Sequence, residues 1–396
     1  MPSGSLSNSD RRRLSGKVAI VGADESDEIG IVAHKSTLEL HAEAARNALA
    51  DAGIPMSEVD GIFTAGPGWS PSLQIAEYLG IRPRYTDSTT VGGSSFVIHV
   101  EHAAAAIEAG LIDVALITHG QSGHSDRRRP GAGRPPLDPW FPAAQFEMPY
   151  HVGGPATVYA LACMRHMHQF GTTHEQLAEI AVATRKWAML NPKAMMRDPI
   201  TIDDVLSSRW ITYPFHLLDC CLVTDAGGAV VVTSSRRAKA CRKQPVLVLG
   251  SGEATTHQTI ASMPDLTDTP ASISGPLAFQ MAGVRPQEID VTEVYDSFTY
   301  TALVTLEALG FCKKGEGGPF VSGGRTAPGG DFPLNTNGGG LSYTHPGMYG
   351  IFLLIEAVRQ LRGECGDRQV SGARLACVNG TGGTLSSTGT LILGAE

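Results

Sequence analysis

The 396-residue chain lacks long hydrophobic runs, paired cysteines and an excess of basic charge, and each absence narrows what it can be. No apolar stretch reaches the roughly 18 residues that a membrane-spanning helix needs. Seven cysteines stand at 163, 220, 221, 241, 312, 365 and 377, and no two form a CxxC pair. That spacing offers neither a disulfide framework nor a zinc site, and it fits a reducing cytoplasm. With 31 basic and 39 acidic residues, a net charge of −8, the chain has no broad basic surface for nucleic acid. The opening segment MPSGSLSNSDRRRL carries arginines with no apolar core behind them, so no signal peptide is expected and residues 1–15 read as a flexible tail. After the first apolar run, GADESDEIG lacks the GxGxxG spacing of a dinucleotide site. What is present, 42% hydrophobic and 18% charged residues, describes a compact globular protein of about two domains.

Strand and helix signals alternate from the start. Lys17–Gly22 reads as a buried strand, and Leu38, Ala42, Ala45, Leu49 and Ala52 trace one helix face closed by Gly53. Val59–Phe63 and Val114–Thr118 are further strands, separated by a Gly-Gly-Ser-Ser turn that enters the alanine-rich helix of residues 92–109. Residues 119–150 turn rich in Gly, Pro and Arg, as a long and therefore functional excursion would. Helices over about 155–170 and 174–190 follow, then a strand at Ala226–Thr233 and a polar boundary at 234–244. The second half repeats the first. Ala48–Asp60 is echoed by Ala278–Asp290, the glycine turn and helix of 92–109 by 338–362, and Ala229–Thr233 by Thr390–Leu393. Two packed α/β halves are expected, 16–244 with 119–212 inserted, and 245–396, with the site between them.

The stretch Asn335–Ile355, NTNGGGLSYTHPGMYGIFLLI, carries the densest chemistry. A Gly-rich turn feeding a helix exposes N–H groups to an oxyanion or phosphate, and Tyr343 and His345 add two proton-transfer groups. The other reading is an ordinary glycine loop with a hydrogen-bonded structural histidine.

Taken together, the layout resembles the thiolase superfamily, in its sterol-carrier-protein-type, lipid-transfer-protein-like branch, over about residues 17–394. The Cys-Ala-Ser-Gly nucleophile turn of thiolases falls on Gly93-Ser94-Ser95-Phe96, and the Asn-Glu-Ala-Phe or His-Asp-Ala-Phe motif on Tyr295-Asp296-Ser297-Phe298. Gly-His-Pro falls on Thr344-His345-Pro346, and Cys-x-Gly-Gly-Gly on Asn379-Gly380-Thr381-Gly382-Gly383, with Cys377 two residues early. The resemblance implies duplicated halves in a five-layer αβαβα arrangement, acyl-CoA as substrate with no other cofactor, no metal, and a homodimer paired through 92–109.

The departures redirect the chemistry. Thioester exchange needs a thiolate, and position 93 is glycine. Two phenols and an imidazole around a CoA thioester suit retro-aldol cleavage of a β-hydroxyacyl-CoA, as in the side-chain aldolases of steroid degradation. In that scheme Tyr295 and Tyr343 move protons and His345 holds the enolate. Asp296 orients, and Gly93, Ser94, Ser95, Asn379, Gly380 and Gly382 support the oxyanion. Members of that branch work with a partner carrying an OB-fold and a zinc ribbon, giving a heterotetramer. The alternatives are a degenerate acetyl-CoA C-acyltransferase and a non-catalytic acyl-CoA-binding subunit. Arg127, Arg128, Arg129 and Arg134 are candidates for the CoA phosphates. Cys220 and Cys221 read as buried small hydrophobes, and alkylation is expected to leave activity intact because the motif positions of both family cysteines hold Gly93 and Asn379.

Overall fold

The computed structural model describes residues 14–66, 68–126 and 138–396. Nine strands form the main sheet: β1 (Val18–Glu25), β2 (Gly61–Phe63), β3 (Tyr85–Asp87), β4 (Val114–Ser122), β5 (Asp225–Ser234), β6 (Val246–Thr255), β7 (Val291–Val294), β8 (Leu375–Gly382) and β9 (Ser387–Ala395). Their spatial order is β3-β2-β4-β5-β1-β6-β9-β8-β7. From the middle outward, β1-β5-β4-β2 and β6-β9-β8-β7 follow the same sequence of two antiparallel pairings and then a parallel one. The expected duplication is therefore present over four strands of each half, with β3 added at the outer edge of the first. The half-sheets are also hydrogen-bonded to each other, through a short β1–β6 seam at Ala19↔Leu247 and Ile20↔Val246.

The longer helices are α1 (Thr37–Ala52), α2 (Pro71–Leu79), α3 (Ser95–Glu108), α4 (Pro155–Phe170), α5 (His174–Met189), α6 (Ala271–Ala282), α7 (Thr299–Ala308) and α8 (Gly350–Arg362). Helix α1 starts at a capping box, in which Ser36 Oγ accepts from Glu39 N and Glu39 returns a carboxylate to Ser36 N. It ends at left-handed Gly53, φ 70°. Its alanine face packs on Val114, Leu116, Ala229 and Val231, the outer side of the first half-sheet. Helices α3 and α8 fill the middle layer, where Phe96, Val97, Ile351 and Phe352 meet inner-facing residues of both half-sheets. Helices α6 and α7 cover the outer side of the second. This is the αβαβα order.

One packing detail repeats across the halves. A Cβ on Gly22 of β1 would lie 2.0 Å from Ala48 O of α1, and one on Gly250 of β6 would lie 2.0 Å from Ala278 O of α6. Helix and strand approach so closely that only glycine fits at either place.

Strand β4 runs to Ser122, pairing His119, Gly120 and Gln121 with Gly228, Gly227 and Ala226, so the insertion opens four residues later than position 119. The polar composition there is misleading because a backbone ladder needs no apolar side chain. Within the insertion, α5 braces the Gly-rich turn. Arg185 Nε donates to Ser342 Oγ at 2.9 Å, and Met195 and Met196 N–H groups bond Tyr343 O and Ser342 O. Among the described residues no helix is long and apolar enough to cross a membrane.

Candidate active site

Between the halves lies a cleft of about 500 Å³, within the range of small-molecule sites. Tyr295 enters it from the end of β7, where its N–H bonds Asn379 O at 3.0 Å. Its hydroxyl stands 2.9 Å from His345 Nε2 and accepts the Tyr349 backbone N–H at 3.1 Å. His345 is held by Thr224, whose Oγ1 accepts its N–H at 2.8 Å and whose N–H bonds its carbonyl. The Tyr349 ring stacks on the imidazole at 6.2 Å, and the Tyr349 hydroxyl donates to Asn337 Oδ1 at 2.8 Å. The sequence reading missed Tyr349, since nothing in the spacing says which tyrosine flanking a histidine packs on it.

Tyr295 and Gly93 explain each other. A Cβ on residue 93 would stand 2.1 Å from Tyr295 Cε2 and 2.7 Å from its Cζ. The phenol ring fills the space that a nucleophilic side chain at 93 would need. Burial pushes the Tyr295 hydroxyl well above the ordinary tyrosine range, with Cys221 adding to the rise. The resting group is thus a neutral phenol.

Tyr343 is elsewhere. It does not line the cleft, and its hydroxyl donates to Glu25 Oε1 at 3.0 Å, at the end of β1. Burial works against the Glu25 charge, but Arg359 at 2.7 Å and Lys193 at 2.9 Å outweigh it and hold the carboxyl at about 2. Burial, reinforced by that carboxylate, drives the Tyr343 hydroxyl well above its usual range. The expected Tyr295–Tyr343 proton-transfer pair is not assembled. The period of a π-helical turn over Gly339–Tyr343 aims residue 343 at β1.

The Gly-rich turn itself is already occupied. Asp296 Oδ1 accepts Gly340 N–H at 2.7 Å and Oδ2 accepts Leu341 N–H at 3.3 Å. The protein's own carboxylate takes the donors expected to meet a ligand, so Asp296 is bonded to the turn. Burial raises its carboxyl to about 7, against the pull of those two N–H groups.

The other supporting residues divide in the same way. Gly93 and Gly382 line the cleft, whereas Ser94, Ser95, Asn379 and Gly380 lie behind its wall. Ser94 Oγ donates to Ser387 Oγ at 3.1 Å and Ser95 Oγ to Gly92 O at 2.7 Å, so both hydroxyls brace the turn. Asn379 Nδ2 donates to Thr390 Oγ1, and a Cβ on Gly380 would lie 2.9 Å from Ser94 Cα. Cys377 faces the outer core of the second half, fully buried, with its thiol pushed far up by burial. Cys221 corrects the expectation for the cysteine pair: it lines the cleft beside Ser297 and is partly exposed. Tyr159 of α4 also lines the cleft and donates to Gly383 O at 3.1 Å. It was missed because α4 carries no motif. Trp187 is core, its Nε1 donating to Thr326 O, and Trp140 is exposed. Arg127, Arg128, Arg129 and Arg134 lie outside the described residues.

A duplicated α/β sheet with glycine turns meeting over an inter-half cleft defines a thiolase-type architecture. A family profile described as "Thiolase C-terminal domain-like" matches residues 252–395. The chain is 36% identical over 394 residues to a 17-hydroxy-3-oxo-4-pregnene-20-carboxyl-CoA lyase of Mycobacterium tuberculosis, covering 96% of this chain and 100% of that one. It is 34% identical to a steroid side-chain-cleaving aldolase of Thermomonospora curvata, over 97% and 99% of the two chains. The solved Ltp2-ChsH2(DUF35) aldolase superposes with a TM-score of 0.88 at 33% identity, covering 96% of this chain and 98% of that one. The protein belongs to the thiolase superfamily, in the sterol-carrier-protein-like branch that contains the steroid side-chain aldolases.

Proposed function

We propose that the protein cleaves β-hydroxyacyl-CoA thioesters by retro-aldol reaction, without a cysteine nucleophile. The observation that carries this reading is the Tyr295–His345 contact, 2.9 Å long, on a cleft wall where the Tyr295 ring occupies the nucleophile space at Gly93. The substrate's β-hydroxyl gives its proton to Tyr295 Oη as the phenol proton passes to His345 Nε2. The Cα–Cβ bond breaks, its electron pair moves into the thioester as an enolate, and the β-carbon leaves as a ketone. Return of the proton to Cα gives the shortened acyl-CoA. The reaction sequence moves one proton from the β-hydroxyl to Cα and breaks one carbon–carbon bond, with no net oxidation or reduction, and needs no cofactor beyond substrate CoA. His345 thus serves first as proton acceptor from Tyr295, a role the 2.9 Å contact favours over direct enolate binding.

The substrate named for the Mycobacterium tuberculosis relative fits this chemistry, because a 17-hydroxyl is β to a 20-carboxyl thioester. We take steroid acyl-CoA thioesters of that kind as the substrate class. A second protein, of the kind joined to Ltp2 in the solved aldolase, is proposed as the working partner. A homodimer is proposed with it. Helix α3 spends its apolar face inside the protomer, so pairing would use the open edge of β3 rather than α3 itself. The test is incubation of the chain, alone and with such a partner, with 17-hydroxy-3-oxo-4-pregnene-20-carboxyl-CoA. Appearance of a steroid ketone and a shortened acyl-CoA in equal amounts is the expected result. Tight binding without cleavage in both settings would instead mark a binding subunit.

A further inference from the structure

A phenol and an imidazole 2.9 Å apart can be bonded in either sense, O–H to nitrogen or N–H to oxygen. Only the first sense delivers the Tyr295 proton to His345. A second donor meets the same oxygen. Tyr349 is the N-cap residue of α8, so its N–H has no partner within the helix, and it donates to Tyr295 Oη at 3.1 Å. Among the described residues Tyr295 Oη has no third partner. If His345 donated as well, the oxygen would hold two donors and its own proton would have no protein acceptor. Buried polar groups are nearly always satisfied, so the bond runs from the Tyr295 O–H to His345 Nε2, with the imidazole proton on Nδ1.

Tyr349 is itself held in place. Its side chain is fully buried, its hydroxyl donates to Asn337 Oδ1 at 2.8 Å, and its ring lies within 20° of the His345 plane. At the next residue, a Cβ on Gly350 would stand 2.1 Å from Gly93 O. The start of α8 is thus packed directly on the turn whose missing side chain makes room for the Tyr295 ring. Burial drives the Tyr295 hydroxyl upward, and the Tyr349 N–H pulls the other way. We propose that Tyr349 is the positioning residue of the Tyr295–His345 pair: its N–H commits the phenol proton to His345 Nε2. The same N–H offsets the negative charge that gathers on Oη while that proton leaves and the substrate's arrives. This rests on the retro-aldol reading above and adds the residue that sets the direction of proton flow.

The experiment removes a single N–H. Replacing residue 349 by the α-hydroxy analogue of tyrosine turns the 348–349 amide into an ester and keeps every side chain. Its kcat should fall by roughly 5- to 50-fold, between the worth of a neutral and of a charged hydrogen bond. KM should barely move, since the bond matters while the protons are in flight. In a Tyr295→Phe chain the same ester should cost nothing further, because its acceptor is gone; single turnovers measure that residual rate. Tyr349→Phe keeps the N–H and the ring and should lose clearly less than the ester, since Asn337 Oδ1 retains the Gly339 N–H. Parent-like kcat in the ester chain, or an equal loss in both backgrounds, overturns the proposal. A readout without turnover stands beside these. Nitrogen NMR of labelled, neutral histidine rings, with His345 assigned by the signal lost in His345→Gln, should show Nδ1 protonated and Nε2 as a bare acceptor. A proton on Nε2 overturns the proposal even if the ester chain does not fold. That spectrum needs no substrate, so failure of the aldolase reading, scored as no cleavage by the wild type, is distinguishable from failure of the positioning role.

Discussion

A Cβ at position 93 would collide with the Tyr295 ring at 2.1 Å, so these two residues must be understood as one steric unit. Gly93→Cys should therefore displace the phenol rather than restore thiolase chemistry. A misplacement of about 1 Å commonly costs on the order of 10² in rate, and aldol cleavage by this variant should fall by that order with no acyl exchange gained. An acyl-enzyme trapped on the new thiol would contradict this. The two tyrosines of the sequence reading should now separate. Tyr295→Phe removes the hydroxyl that meets His345 and should lower kcat by about 10²–10⁴ while the fold survives. Tyr343→Phe removes a buried bond to the Glu25 carboxylate, leaves Lys193 and Arg359 in place, and should cost about 1–3 kcal/mol of stability. Its kcat should stay within a few-fold of wild type. A loss on the scale of Tyr295→Phe would return Tyr343 to the chemistry.

At the scale of elements, local patterns survived folding well and long-range partners did not. Helix α1 ends at its glycine, α8 follows its apolar run, and the strands at 226–233 and 390–393 lie within β5 and β9, because capping and periodicity are written in adjacent residues. The glycine turn was legible as a turn, but its occupant was not, since Asp296 reaches it from 44 residues away. Tyr343 and Tyr349 look alike in the sequence and are sorted by the non-helical segment 344–349 that separates the π-helical turn from α8. The turn's carboxylate has a measurable signature. In the folded chain Asp296 binds its proton up to about pH 7, whereas the unfolded group releases it near 3.8. Between these values the native state holds more protons than the unfolded one, so stability falls as pH rises. Glu25 acts with the opposite sign at lower pH, because its folded value of about 2 lies below the unfolded 4.5. Asp296→Asn should cancel only the first effect. The wild-type advantage in urea unfolding should shrink from pH 4 to pH 7 and level off above; a constant difference would mean that Asp296 is ionised throughout.

The two halves meet through only two residue pairs of β-ladder, which on its own would allow them to unfold separately. The middle layer argues otherwise. Helix α3 belongs to the first half and α8 to the second, yet Val97, Ile351 and Phe352 share one core with Val230, Val232, Val378 and Leu391 from both half-sheets. Each middle helix would expose an apolar face if the opposite half were removed, at about 25 cal/mol for each Å² uncovered. Burial on this scale couples the halves far more strongly than the seam does. Ion pairs between the halves act in the same direction, since Arg359 and Arg362 of α8 bind Asp24, Glu25 and Asp51 of the first half. The chain supplies its own reporter. All four tryptophans, at 69, 140, 187 and 210, lie in the first half, and the buried one, Trp187, bonds Thr326 O of the second, so fluorescence reports the contact between the halves while far-ultraviolet circular dichroism follows both. A single cooperative unit predicts that the two signals trace one superimposable transition in guanidinium chloride. If fluorescence is lost at a denaturant concentration where most helical signal remains, the halves are independent, and a cleft built between them would open before either half unfolds.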